Sequence, residues 1–185
     1  MGNRLSKIVT KTGDHGETGL MGTTRVLKDH PRIEAIGSAD ELNAQVGLLM
    51  AHLSESLREI HQELLIIQHH LFNVGGELVM PEYAMMTAEM VIWLETRIVH
   101  YNEALPHLKE FILPSGSLPT CHAHVCRTVA RRLERTMVTL HQAEPLNAEL
   151  LQYINRLSDY FFVLARTLAH YTQDHEMLWN KALTE

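Results

Sequence analysis

The sequence predicts an all-α protein, a five-helix up-down bundle preceded by an irregular glycine-rich N-terminal segment. Three observations carry that prediction. From Ser38 onward, apolar residues recur at spacings of three and four, the period of one buried helix face. Proline and helix-capping residues interrupt the pattern and divide it into five stretches with mostly short connections, as in a bundle of neighbouring helices. Seven of the ten glycines fall among the first 47 residues, and no helical period precedes Ser38, so the start of the chain is set apart.

Taken in order, Ile8, Val9 and Thr10 predict a short extended segment, and "TKTGDHGETGLMG" after them is too turn-rich for a helix. Ser38 and Glu41 form a capping box that starts the first helix, with Leu42, Val46, Leu49 and Leu53 on its apolar face. Ser54 or Ser56 caps the second helix, which carries Leu57, Ile60, Leu64, Ile67, Leu71 and Val74 and ends before Pro81. The third begins near Thr87, with Met90, Leu94, Ile98 and Tyr101 on one face. Three prolines make residues 105–119 a loop. A fourth helix follows over residues 120–141, its stripe being Cys126, Val129, Leu133, Met137 and Leu140. Pro145 breaks the chain, Asn147 caps the fifth helix, and Leu150, Ile154, Leu157, Phe161, Leu164 and Leu168 form a coiled-coil-like seam. The last ten or so residues carry no period and are expected to fray. The reading is of one domain over residues 1–185, with a loop segment over 1–37 and the bundle over 38–175.

Composition narrows the function. A length of 185 residues with 45% hydrophobic and 21% charged residues is that of one ordinary globular domain. Sixteen basic residues against twenty-two acidic ones leave a net charge of −6, which argues against nucleic acid as the main partner. Cys121 and Cys126 are five apart on a predicted helix and point to different sides, so no local disulfide is expected and a reducing compartment fits. No stretch approaches the roughly 20 apolar residues of a membrane span, and the N-terminus lacks the apolar core of a signal peptide. Gly2 and Ser6 match the loose N-myristoylation pattern, which has meaning only in a eukaryote. The expected location is the cytoplasm, with no membrane partner.

Two segments carry chemistry. In "TGDHGETG", Gly13, Gly16 and Gly19 recur every third residue among Thr12, Asp14 and Thr18, with Lys11 before them and Gly22 after. Glycines let successive N–H groups turn inward as an anion nest, to which the threonine hydroxyls and Lys11 add. A triphosphate suits such a loop, although no Gly-Lys-Ser/Thr follows, so it is not a Walker A motif and an ordinary glycine-rich turn stays open. On the fourth helix, Arg127, Arg131, Glu134, Arg135 and Val138 share a face about a third of a turn from the apolar stripe, with Arg132 beside them. So many guanidinium groups in an acidic chain point to phosphate, which arginine grips bidentately. The alternative is a solvated face laced by pairs such as Arg131 with Glu134. On the fifth helix, Asn155 and Asp159 lie away from the seam, where Asn155 reads either as a ligand to adenine or ribose or as a surface residue. Cys121, His122, His124 and Cys126 crowd about one and a half turns and point several ways, so no metal site is expected. The absence of Glu-x-x-His and His-Glu-x-x-His argues against a di-iron bundle and a zinc protease.

In order along the chain, "TKTGDHGETGLMG", "RVLKDHPRIEAIGSADELNA", "FILPSGS", "CRTVARRLER" and "NRLSDYFFVLAR" resemble the PduO-type ATP:cob(I)alamin adenosyltransferases. The resemblance departs from the family pattern at Gly37-Ser38-Ala39, where Gly-Thr-Val is usual, and at Ser115, where a glycine is usual. It implies a five-helix bundle that assembles as a homotrimer with active sites between subunits. It further implies an enzyme that moves the 5′-deoxyadenosyl group of ATP, carried with Mg²⁺, to the cobalt of cob(I)alamin. The nucleotide would lie on Thr10, Lys11, Thr12, Gly13, Thr18 and Gly19, with Lys28 reaching the phosphates. Arg131, Arg132, Glu134, Arg135 and Asn155 would complete that site, Arg131 acting on the leaving triphosphate. By the same resemblance, Asp40 and Arg127 would form an intersubunit ion pair beside the corrin. Phe111 would cover the lower corrin face so that cob(II)alamin loses its axial base before reduction. A flavin reductase and an adenosylcobalamin-dependent enzyme are the partners this implies. Two rivals remain: a non-catalytic ATP- or corrinoid-binding module, which turnover separates, and a purely structural bundle, which leaves the glycine loop unexplained.

Overall fold

The computed structural model describes residues 8–20 and 25–183. Gly2, Ser6 and Gly22 of the patterns above lie outside the described residues. A short antiparallel pair, β1 (Glu17–Gly19) and β2 (Arg25–Leu27), precedes five helices: α1 (Pro31–Ala51), α2 (Arg58–Val79), α3 (Ala88–Glu103), α4 (Leu118–Ala143) and α5 (Ala148–Tyr171). Helix α4 packs on α5 and on α1, α1 packs on α2, and α3 packs on α5. The fold is thus the expected helical bundle behind an irregular N-terminal segment.

The seam predicted for α5 is fully buried: Leu150, Ile154, Leu157, Phe161, Leu164 and Leu168 are all at 0% exposure. Each such side chain contributes roughly 1.5–3 kcal/mol relative to leaving it in water. Cys126, Leu133, Met137 and Leu140 of α4 meet that seam, with Val129 at the edge of the same core. A buried polar link draws α2, α3 and α5 together. The Glu63 carboxylate accepts from the Tyr101 hydroxyl at 3.0 Å and the Tyr160 hydroxyl at 3.1 Å, and Arg97 pairs with it.

Four expectations need correction. Helix α1 begins at Pro31, one turn past β2, and not at Ser38. The His30 ring accepts from the Arg32 N–H at 3.1 Å and Pro31 fills the first turn, where a missing N–H costs nothing. Ser38 is buried mid-helix, and Glu41 pairs with Arg132 of α4 where a capping box would have turned it back. The first two turns bury Arg32, Ala35, Ser38 and Ala39, a face too small and polar to show an apolar period. Arg32 is held there by the Leu78 carbonyl at 2.6 Å and by Glu144. Extended pairing falls at β1 and β2, and Ile8, Val9 and Thr10 are exposed with no strand. Helix α4 starts at Leu118, taking Pro119 into its first turn. The C-terminal tail does not simply fray, because it is hydrogen-bonded to the loop before α4.

Candidate active site

The N-terminal loop folds on itself. Gly16 N–H donates to the Gly13 carbonyl at 3.2 Å, and Lys28 N–H to the Gly16 carbonyl at 2.9 Å, closing the turn against β2. Lys28 then lies across Gly13, its Nζ 3.2 Å from where a Cβ would project, so a side chain at position 13 would press on it. Lys11 holds φ at 59°, a left-handed conformation that an L-residue keeps only where its surroundings enforce it. Thr10 and Thr12 hydroxyls stand 3.0 Å apart. Arg25 staples the loop by donating to the Thr12 carbonyl at 2.6 Å and pairing with Glu17 at 3.3 Å. Thr10, Lys11 and Thr12 are exposed, and Gly13, Thr18 and Gly19 half-buried. The result is a compact turn with Lys28 laid across Gly13 and the Thr10 and Thr12 hydroxyls paired with each other.

On α4, Arg131 and Arg135 are exposed and Arg127 is half-buried. Arg135 donates to the Arg131 carbonyl at 3.0 Å. None of the three guanidinium groups forms an ion pair among the described residues, whereas Arg25, Arg32, Arg97, Arg132, Arg156 and Arg166 each hold a carboxylate. Glu134 does not pair with Arg131. It accepts from Asn155 Nδ2 at 2.7 Å, and Asn155 Oδ1 accepts from Arg156 at 2.6 Å. Asn155 is therefore fixed beside the arginine stripe by both ends of its amide. Burial raises the Asp159 carboxyl above its usual range, with Arg156 and Arg131 pulling the other way.

Below the stripe, α4 and α5 line a cavity of about 490 Å³ with the 108–112 segment, walled by Phe111, Ile112, His124, Arg127 and Phe162. Phe111 stands at 81% exposure, an aromatic ring with no core to cover it. His124 is 5% exposed, and neither its Nδ1 nor Arg127 Nε finds a partner among the described residues. Burial, and then the Arg127 charge, pull the His124 imidazole down to about 4, so it is neutral at physiological pH. Burial and the neighbouring Arg131 likewise lower Arg127. The arginine face of α4 thus runs down to a pocket between α4, α5 and the 108–112 segment, where Leu108, Phe111, Ile112 and Phe162 stand beside Lys109, Glu110, His124 and Arg127.

Comparisons with known proteins place the chain in a family. A family model described as cobalamin adenosyltransferase matches residues 8–168. The chain belongs to the cobalamin adenosyltransferase family. It is 51% identical over 181 residues to the cobalamin adenosyltransferase of Cupriavidus metallidurans, covering 98% of each chain. To the corrinoid adenosyltransferase of Bacillus subtilis it is 46% identical, covering 88% of this chain and 86% of the relative. Among solved structures it resembles a phenylalanine-to-alanine variant of the PduO-type ATP:corrinoid adenosyltransferase from Lactobacillus reuteri, complexed with cobalamin and ATP. That likeness has a TM-score of 0.89 at 37% identity and covers 94% of this chain and 99% of the other. An arginine-to-lysine variant of the same enzyme, complexed with ATP, matches equally at 0.89.

As a cobalamin adenosyltransferase chain, the molecule brings some predicted residues together and leaves others apart. Lys28 meets Gly13, Glu134 meets Asn155, and Arg127 shares the Phe111 cavity. Arg132 turns aside to Glu41 on α1. Asp40 does not reach Arg127 within the chain. It lines a separate surface pocket of about 390 Å³ with Asn43, Leu65, Gln68, His69 and Phe72. Among the described residues, no hydrogen bond or ion pair joins the N-terminal loop to α4 or α5. Sequence reasoning missed Arg25, Phe162 and the role of His124. Phe162 had a signal, since a second aromatic beside Phe161 lies off the seam, whereas Arg25 had none. No group of three or more His, Cys, Asp or Glu side chains among the described residues is arranged to hold a metal.

Proposed function

We infer that this chain transfers the 5′-deoxyadenosyl group of ATP to the cobalt of cob(I)alamin, giving adenosylcobalamin and inorganic triphosphate. Within the fold, the observation that best supports this is the α4 face, where Arg127, Arg131 and Arg135 are left without carboxylates beside the cavity that Phe111 guards. Cobalt(I) attacks C5′ of ATP with its own electron pair. The C5′–O bond breaks, the Co–C bond forms, and triphosphate leaves with the electrons of the broken bond. The nucleophile comes with the substrate, so the protein's work is alignment and stabilisation of charge, the two largest contributions an enzyme makes. Arg131 faces the developing triphosphate, and Arg135, Arg132, Lys11 and Lys28 add to the field. Thr10, Thr12, Gly13, Thr18 and Gly19 cradle the phosphates, and Asn155, oriented by Glu134, addresses the nucleoside.

Among the described residues, no hydrogen bond or ion pair links the loop to the arginine stripe, which supports a homotrimer in which the loop of one subunit closes on α4 of the next. Asp40 of one subunit then pairs with Arg127 of its neighbour, supplying the anion Arg127 lacks alone. Mg²⁺ would arrive on the triphosphate. The glycine-rich turn offers Asp14 and Glu17 as carboxylates, and Arg25 holds Glu17, so an ion that tolerates mostly phosphate and water ligands fits. Phe111 covers the lower corrin face and displaces the axial base of cob(II)alamin, easing reduction by a flavin reductase, and the product passes to an adenosylcobalamin-dependent enzyme. The setting is the cytoplasm, in keeping with the absence of any helix among the described residues long and apolar enough to cross a membrane.

The test is an anaerobic absorbance assay with chemically reduced cobalamin, Mg²⁺ and ATP. Loss of the cob(I)alamin band in proportion to enzyme, with a light-sensitive alkylcobalamin product, is expected. Binding of both substrates without product would instead make the chain a corrinoid-binding module.

A further inference from the structure

Residues 105–117 carry Phe111 yet contain no helix or strand of their own. What holds them is the C-terminal tail. Leu113 N–H donates to the Met177 carbonyl at 2.7 Å, Trp179 N–H donates to the Phe111 carbonyl at 2.7 Å, and Ile112 bridges Leu178 antiparallel between them. Ser117 N–H donates to Asp174 at 2.7 Å, just ahead of α4. Arg166 of α5, only 4% exposed, donates from Nε to Glu176 at 2.7 Å and from Nη2 to the Pro106 carbonyl at 2.8 Å. One guanidinium therefore grips both the tail and the start of the loop, and the loop is fixed at its start, middle and end.

We propose that residues 174–179 form a strap that positions Phe111 over the corrin, with the Glu176–Arg166 ion pair as its lock, so that Glu176 and Arg166 are positioning residues for the cob(II)alamin route. This rests on the reading of Phe111 given above. The tail is a poor candidate for a stabilising element of the bundle. Met177, Leu178 and Trp179 are each at least 40% exposed, and the hydrophobic core ends at Leu168. Its contacts are backbone hydrogen bonds to the two residues flanking Ile112, together with a charge-assisted anchor, which is stronger than a neutral one. Glu176 also lies near enough to His124, in the wall of the Phe111 cavity, for its carboxylate to favour the protonated imidazole, so strap and pocket share a boundary.

The full-length protein tests this with Glu176→Gln, which keeps shape and removes charge, and with the pair Trp179→Ala and Trp179→Pro. Both Trp179 variants lose the indole, but only proline loses the N–H that holds Phe111. Hydrogen–deuterium exchange over residues 105–117 reads the strap without reference to any substrate. Protection there is expected to fall in Glu176→Gln and Trp179→Pro but not in Trp179→Ala, and to fall more over residues 105–117 than over the bundle helices, whatever Glu176→Gln costs in overall stability by leaving Arg166 without its anion. The rate starting from cob(II)alamin and a reductant should fall roughly 10- to 100-fold, the scale of an ångström-sized misplacement. The rate from preformed cob(I)alamin should stay within about threefold, far less than the tenfold that 1.36 kcal/mol represents. Four-coordinate cob(II)alamin, followed by electron paramagnetic resonance with ATP bound, should fall with the cob(II)alamin rate. Unchanged protection in both variants overturns the strap. Lost protection with an unchanged cob(II)alamin rate overturns the positioning role, provided Phe111→Ala does slow that route. If Phe111→Ala slows both routes equally, the reading of Phe111 fails first and the proposal falls with it.

Discussion

On the proposed reading, Arg131→Ala is expected to separate catalysis from stability. The Arg131 side chain forms no ion pair among the described residues, and its backbone carbonyl, which accepts from Arg135, survives the substitution. Its nearest charged companions include Arg127, whose guanidinium it disfavours, so removing it relieves repulsion in the empty protein. An exposed substitution of this kind changes stability by no more than about 0.5 kcal/mol, which for a domain of this size is at most about 2 °C in the thermal midpoint. Activity is a different matter. A guanidinium aimed at charge developing in the transition state is worth about 2.7–4 kcal/mol, or roughly a 100- to 1,000-fold loss in kcat/KM for ATP. Arg131→Lys keeps the charge but not the fork and is expected to fall between the two. Initial rates from cob(I)alamin over a range of ATP concentrations, alongside thermal unfolding with and without ATP, make the measurement. Wild-type kcat/KM in Arg131→Ala refutes the phosphate role, and a loss of activity that merely follows a fall in the midpoint refutes the reasoning from structure.

The remaining predictions follow from the same site. Phe111→Ala should slow the reaction from cob(II)alamin far more than that from preformed cob(I)alamin, and parallel assays with equal losses would dismiss the base-displacing role. Asp40→Asn and Arg127→Met should each weaken corrin handling or the trimer, and the double variant should cost less than the sum, because the pair is lost once. Sizing chromatography and kinetics that match wild type in both single variants would remove the pair from the site. His124 titrates near 4 when folded and near 6.5 when unfolded, so the unfolded chain binds the extra proton. Its contribution is complete above about pH 6.5 and is lost as pH falls towards 4, amounting to something on the order of 3 kcal/mol. Urea midpoints at pH 7 and pH 4.5 should therefore diverge less in His124→Phe than in wild type, and an identical divergence would show that His124 is not the titrating group.

Where the sequence was legible, side-chain burial alone decided the structure. The α5 seam and the α4 stripe are runs of large apolar residues at helical spacing, and such runs can bury themselves in only one way. The start of α1 was illegible because its buried face is Arg32, Ala35, Ser38 and Ala39, and the arginine is there to bind Leu78 and Glu144 far along the chain. The tail was illegible for another reason. Its contacts are mostly backbone hydrogen bonds, which any residue but proline can make, so residue type at Met177 or Trp179 carries no signal of pairing. At the site, residue types pointed to phosphate, while their partners did not follow from spacing. Glu134 is three residues from Arg131 yet bonds to Asn155 on the next helix, because the packing of α4 on α5 brings that amide nearer than the helix brings its own arginine.

The distribution of arginine partners carries the argument one step further. A fold that needed α4 only for structure could neutralise its charges as it neutralises Arg32 against Glu144, Arg97 against Glu63 and Arg166 against Glu176. Carboxylates are plentiful, with twenty-two acidic residues in the chain. Glu134 even sits within the stripe, but its oxygen is given to Asn155. Arg127 is therefore left with the Arg131 charge beside it and with a buried Nε that has no partner among the described residues, a cost a structural helix has no reason to carry. Anything that brings negative charge to this face recovers that cost on binding. Triphosphate brings more of it once the C5′–O bond has broken than while it is still part of ATP, so the recovery is greatest as the leaving group departs. On the proposed reading, the unpaired guanidinium groups act on the product side of the bond that must break, which is where they would lower the barrier.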